Sequence, residues 1–93
     1  MTTISPEAAR TDHETLRAIL RLTRKGERAT AQTLAERVSA THTEIRLALR
    51  RLRSAGLVEI FAYDARLTML GMAIAAALLP RASAATARAR KAA

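Results

Sequence analysis

A mainly α fold with one small β-hairpin is what this 93-residue sequence predicts, on three observations. Apolar residues recur at helical spacing in separate runs, each preceded by a threonine placed to cap a helix. After Gly56 the run Leu57-Val58-Glu59-Ile60-Phe61-Ala62 turns β-branched and aromatic, and a turn and a short return stretch follow it. The last apolar run, Met69 to Leu79, is uncharged, and no charge occurs between Arg66 and Arg81.

Residues 1–10 are small and polar, with Pro6 discouraging a helix before it, and are expected to form a flexible lead. Thr11-Asp12-His13-Glu14 has the form of a capping box. The helix it opens places Leu16, Ile19, Leu20 and Thr23 on one face and stops at Gly26. Glu27-Arg28-Ala29 is short enough for a first small strand. Thr30 is the expected cap of a second helix with Ala31, Leu34, Ala35 and Val38 as its buried stripe. Ser39-Ala40-Thr41 is the length of a helix-turn-helix corner.

The third helix is the most strongly marked. Thr41 and Glu44 form a second capping box, and Ile45, Ala48, Leu49 and Leu52 recur at i, i+3, i+4 and i+7. Rotation of about 100° per residue sends Thr43, Arg46, Leu47, Arg50 and Ser54 to the opposite side. Gly56 is the left-handed residue expected past its end. In the hairpin, residues 57–62 form one strand, Tyr63-Asp64-Ala65 the turn and Arg66-Leu67-Thr68 the return. Thr68 then caps a helix over residues 69–79 that is apolar nearly all round, and Pro80 ends it.

Such a helix must be covered on every face, and a domain this small covers one side. It is too short for a bilayer, which needs about 20 apolar residues. A partner helix is the expected cover, most simply the same helix of a second chain through Met69, Leu70, Met72, Ala73, Ile74, Ala77 and Leu78. The division expected is a lead at 1–10, a domain at 11–68, a dimerisation helix at 69–79 and a basic disordered tail at 80–93.

Composition restricts the function. The chain has a net charge of +8, a pI near 11.6 and no cysteine. An anionic partner follows from the first two, and the third removes disulfides, thiolate metal sites and a cysteine nucleophile. With 49% hydrophobic residues but only Phe61 and Tyr63 as aromatics, the core is expected from Leu, Ile, Val, Met and Ala. Residues 31–56 are net positive (Arg37, Arg46, Arg50, Arg51 and Arg53 against Glu36 and Glu44). The tail adds Arg81, Arg88, Arg90 and Lys91 with no acid. His13 and His42 lack a second ligand at metal spacing, and Asp12, Glu14, Glu36, Glu44 and Glu59 read as caps and surface pairs. The glycines form no phosphate-cradling loop. No enzyme, metal site or cofactor is therefore expected, and the N-terminal MTTISPEAAR, lacking an apolar signal core, points to the cytoplasm.

Three runs carry a family resemblance: ATAQTLAERV, EIRLALRRLRSAGLVE and RLTMLGMAI. Their order resembles the winged helix-turn-helix domain of bacterial transcriptional regulators. The third run resembles the stretch closing the wing in MarR-like and PadR-like members. The likeness covers about residues 14–79, and departs in a wing of only three turn residues.

The resemblance implies a recognition helix entering the major groove of double-stranded DNA with its N-terminal half. That half presents His42, Thr43, Arg46, Leu47 and Arg50. It implies Arg46 and Arg50 against guanine edges or phosphates, Thr43 against a base or phosphate, and Leu47 against a thymine methyl. Arg51 and Arg53 suit the phosphate backbone, as do Thr30 and Gln32 with help from their helix dipole. Arg66 is the wing's cation, and Arg81, Arg88, Arg90 and Lys91 add tail contacts to phosphate. The expected protein is a homodimeric, nucleoid-associated repressor with no membrane role. The alternatives are an architectural or plasmid-partition protein coating DNA, and an interaction module whose helix 69–79 docks on an unidentified protein.

Overall fold

The structure, a computed structural model, describes residues 5–78. Along the chain lie α1 (Pro6–Arg24), α2 (Ala31–Val38), α3 (His42–Ser54), β1 (Val58–Phe61), β2 (Asp64–Leu67) and α4 (Met69–Leu78). Leu79, Pro80 and the tail arginines and lysine lie outside the described residues.

α1 starts earlier than the capping-box reading places it. Ser5 caps it, accepting a hydrogen bond from the Ala8 N–H at 3.1 Å, and Pro6 occupies the first helical position. Proline is favoured there because its missing N–H has no intrahelical partner to lose. Residues 6–10 are thus helix, not a flexible lead, and the domain boundary at residue 11 falls inside α1. Thr11, read as a cap, instead donates back to the Glu7 carbonyl at 3.0 Å. Leu16, Ile19, Leu20 and Leu22 enter the core, as do Asp12 and Thr15, whereas Thr23 is exposed.

α2 and α3 form around caps as the spacing predicts. Thr30 Oγ1 accepts from the Thr33 N–H at 3.2 Å, and Thr41 and Glu44 make the reciprocal capping box. The corner between them turns at Ser39, a left-handed residue with φ 56°. Leu34 of α2 and Ile45, Ala48 and Leu52 of α3 are buried against α1. Gly56 has φ +77°, which lets α3 stop and the chain turn into β1.

Residues 27–29 form no strand. Thr30 makes an isolated bridge to Asp64, and the Ala65 N–H donates to the Ala29 carbonyl at 2.9 Å, so this segment touches the hairpin without extending it. The hairpin is antiparallel, with Val58 opposite Leu67 and Phe61 opposite Asp64. Its loop is therefore two residues, Ala62-Tyr63, not the three at 63–65, and Asp64 and Ala65 belong to β2. Ala62 has φ 55°. A positive φ at the first loop residue is a mark of the primed turns that join hairpins, whose twist suits the strands though glycine or asparagine is the usual occupant.

Thr68 locks the wing to the last helix. Its hydroxyl donates to the Gly56 carbonyl at 2.7 Å and accepts from the Gly71 N–H at 3.0 Å. Gly71 sits so tightly over the chain entering β1 that a Cβ there would collide with the Leu57 carbonyl oxygen. α4 buries Gly71 and Ala75 and packs on α1, with Leu78 partly buried against the same core. The core is Leu, Ile, Val and Ala. Among the described residues it contains no methionine, since Met69 and Met72 are exposed.

Candidate nucleic-acid interface

α3, the start of α2 and the hairpin enclose a groove of about 680 Å³. α3 supplies His42, Arg46, Arg50 and Arg53 to it, all exposed. Their spacing puts them on the side of α3 that faces the hairpin, next to the half-buried Leu49. Thr30 and Gln32 line the groove from the first turn of α2. No carboxylate lines it. Among the described residues the ion pairs are Arg28–Asp64, Arg37–Glu27 and Arg51–Asp12, so Arg46, Arg50 and Arg53 have no protein counter-ion. A concave wall of one sign focuses positive potential outwards.

Thr30 is less available than its position suggests. Besides capping α2, its hydroxyl shares a 3.0 Å hydrogen bond with the Thr33 hydroxyl. What α2 offers an anion here is the exposed Gln32 side chain and the N–H groups of Ala31 and Gln32, which precede the first in-helix bonds.

Arg51 does not face the groove. Its guanidinium forks onto the Asp12 carboxylate, Nε donating at 3.0 and 3.2 Å to the two oxygens and Nη2 at 2.8 Å. These hydrogen bonds raise the Arg51 pKa above its ordinary value, against the opposing pull of partial burial. The pair ties α3 to α1 and turns the Arg51 guanidinium, expected on the phosphate backbone, away from the groove. The partner lies 39 residues back. Its only trace in the sequence is an aspartate on the inner face of α1.

Leu47 also stands apart. It is 46% exposed and borders a shallow depression with Ser5, Glu7, Ala8 and Thr11, on the shoulder of α3 away from the hairpin. The unforeseen first turn of α1 is what flanks it there. Thr43 is exposed on the first turn of α3 and does not line the groove.

Arg66 is displaced as well. Ile60 and Ala65 point into the groove, and the two-residue period of a strand sends Arg66 to the opposite face of the hairpin. There it sits across from Glu59, with its guanidinium 5.2 Å from the centre of the Phe61 ring. The side chain at the groove's wing wall is Tyr63, 87% exposed at the loop tip, which sequence reasoning passed over as a turn residue. An aromatic in a two-residue loop was the available signal.

The second surface is α4. Met69 (91% exposed), Leu70, Met72 and Ile74 stand out as large apolar groups, with Ala73 and Ala77 also exposed. Leu78, expected with them, is partly turned to the core instead. Among the described residues no helix is long and apolar enough to cross a membrane, and no group of His, Cys, Asp and Glu could hold a metal ion.

No protein-family model matches this chain, and neither does any curated protein sequence. Solved structures do. A MarR family protein of Mycobacterium tuberculosis is 28% identical with a TM-score of 0.64, the match covering 85% of this chain and 57% of that one. A candidate DNA-binding protein of Ralstonia eutropha JMP134 is 27% identical with a TM-score of 0.64, over 84% of this chain and 100% of the other. The fold is a winged helix-turn-helix, and this chain spans little more than half the length of the MarR family structure.

Proposed function

We propose that the protein is a homodimeric regulator of transcription that binds double-stranded DNA by sequence and represses by occupying a promoter. The observation that carries the reading is the acid-free groove in which Arg46, Arg50 and Arg53 converge without counter-ions. The similarity to a MarR family protein and a candidate DNA-binding protein supports it. α3 has 13 residues, about 20 Å, and a helix of that size fits a major groove about 12 Å wide. In this reading Arg46 and Arg50 fork onto guanine O6 and N7, Thr43 contacts a base edge or phosphate, and Arg53 and Gln32 hold the backbone.

The apolar face of α4 supplies the reason for two subunits. Four large apolar side chains on one uncharged helix are stabilised by leaving water, at about 25 cal/mol per Å² removed. Two α3 helices on a two-fold axis would read half-sites about 34 Å apart.

The test is selection of the protein's preferred sites from random duplex DNA at two salt concentrations, with mass by light scattering. Recovery of a pseudo-palindrome by a dimer, surviving the higher salt, supports the reading. Binding without sequence preference would make the protein architectural. A monomer would give the α4 face to a different protein.

A further inference from the structure

A second concavity, on the flank of α2 away from the groove, is lined by cations with no part in the reading above. It is a cleft of about 410 Å³ between α1 and α2 that shares no lining residue with the groove. Arg17 and Arg21 enter it from α1, Lys25 from the cap at its end and Arg37 from the last turn of α2, while Glu14 is the one acid on its wall. Among the described residues Arg17, Arg21 and Lys25 make no ion pair. Arg37 meets Glu27 at 3.5 Å with both side chains about half exposed, a contact that water screens strongly.

Part of this charge answers the negative ends of α1 and α2, about half a charge each. Four cations against those ends, Glu14 and the Glu27 that meets Arg37 still leave a surplus of about one. We infer that this cleft binds the phosphate backbone of a second DNA duplex, so that one protein holds two duplexes at separate faces. The inference rests on the DNA-binding reading of the groove.

The dimensions agree with that occupant. Arg17, Arg21 and Lys25 succeed one another at four-residue steps, about 6 Å along the α1 axis. Measured along the duplex axis, the resulting 12 Å or so spans three or four phosphates of one strand, at an axial rise of about 3.4 Å each. An acidic protein partner fits less well. Protein interfaces draw most of their energy from large anchors buried in pockets, and the apolar lining here is small: Ala18 and Leu22 are 8% and 1% exposed and Val38 is half-buried. A phosphate backbone needs only the cations.

The experiment loads the full chain on bead-bound duplex of about 20 bp, two helical turns, and then offers a labelled duplex of unrelated sequence. Wild type should capture it. Arg17→Gln/Arg21→Gln should load on the first duplex within about twofold of wild type, lose second capture roughly tenfold, and lower its salt slope by about two. Arg17→Lys/Arg21→Lys should restore capture, and circular dichroism confirms that each variant is folded. Every variant retains residues 81–93, so their charge cancels in the comparison. Loading without second capture by wild type overturns the inference. Undiminished capture by the glutamine pair does so too, as does an equal loss of loading, which would place the cleft on the first duplex. Capture of labelled polyglutamate but not of duplex would reassign the cleft to an acidic protein. Failure of the groove reading shows separately: Arg46→Ala/Arg50→Ala would then load as well as wild type. Wild type loading on no duplex removes both readings.

Discussion

The Asp12–Arg51 pair separates structure from function within two adjacent residues, and Arg51→Ala tests the separation. Three hydrogen bonds between charged groups, at 2.8, 3.0 and 3.2 Å, are lost, and Asp12, 8% exposed when paired, is left without its partner. A hydrogen bond to a charged group contributes about 1.5–3 kcal/mol net, and stranding a fully buried ion costs about 3–5. The Arg51 side chain is 30% exposed, so water enters and the lower range applies. We expect a loss of about 2 kcal/mol, from a total of the order of 5–14 for a chain this long. For a domain of this size that lowers Tm by about 8–16 °C. Urea and thermal unfolding at fixed protein concentration measure it, because a dimer's midpoint moves with concentration. A double-mutant cycle with Asp12→Ala isolates the pair, with a coupling of about 1–2 kcal/mol expected. Non-specific DNA affinity, measured where both proteins are folded, should stay within about twofold of wild type, as no phosphate contact has been removed. Coupling below about 0.5 kcal/mol together with weakened DNA binding would refute the reasoning and return Arg51 to the phosphate backbone.

Arg50→Ala should show the converse pattern: specific DNA binding weaker by about 1–3 kcal/mol with stability unchanged, and a titration showing equal affinity would remove Arg50 from the base-reading set. Gly71→Ala places a methyl against the Leu57 carbonyl, a backbone atom that cannot swing aside. Urea denaturation should show a loss of about 1–3 kcal/mol or more, and wild-type stability would mean α4 does not approach β1 this closely. Ala62→Gly relieves a positive φ and should raise stability by about 0.5–1 kcal/mol; a drop would exclude the left-handed loop residue. Ile74→Arg should give monomers or insoluble protein by light scattering, and an intact dimer would exclude α4 as the interface.

What the sequence disclosed was what local chemistry determines. The Thr41–Glu44 box, the Thr30 and Thr68 caps, and Gly56 each act within one helical turn, so residue type and spacing suffice to place them. The start of α1 was ambiguous because two signals compete. Thr11 with Glu14 has the form of a box, but Ser5 followed by Pro6 caps a helix more than one and a half turns earlier and gains six further residues of it, Pro6 to Thr11. The hairpin loop was misplaced because Ala62 takes the positive φ where glycine or asparagine is usual, leaving no glycine to mark the turn. Arg51 was unreadable in principle from α3 alone. Helix periodicity puts it on a flank, and only the packing of α1 decides whether a flank meets solvent or a carboxylate.

The same packing explains why the arginines of one helix part company. Successive residues on α3 are turned by about 100°, so Arg50 and Arg51 must face different neighbours. Arg50 turns to the hairpin, where no acid lines the groove, and Arg51 turns to α1, where Asp12 waits. The helix is held on its back by Ile45, Ala48 and Leu52 and on one shoulder by the Asp12 fork. A guanidinium fixed to α1 adds a directional tether to the packing of Ile45, Ala48 and Leu52 and so further resists rotation of α3 about its own axis. Arg46, Arg50 and Arg53 then stand at a set angle to the hairpin before any DNA arrives. Forking onto a base edge depends on such angles, and side chains already oriented lose less freedom on binding. An Arg51→Lys variant shows which property of the fork matters. It keeps the charge and loses the planar geometry. If orientation is the role, Arg51→Lys should retain most of the stability lost by Arg51→Ala and still discriminate less sharply between a cognate site and its single-base variants. Equal discrimination in Arg51→Lys and wild type would leave Asp12–Arg51 a contribution to stability alone.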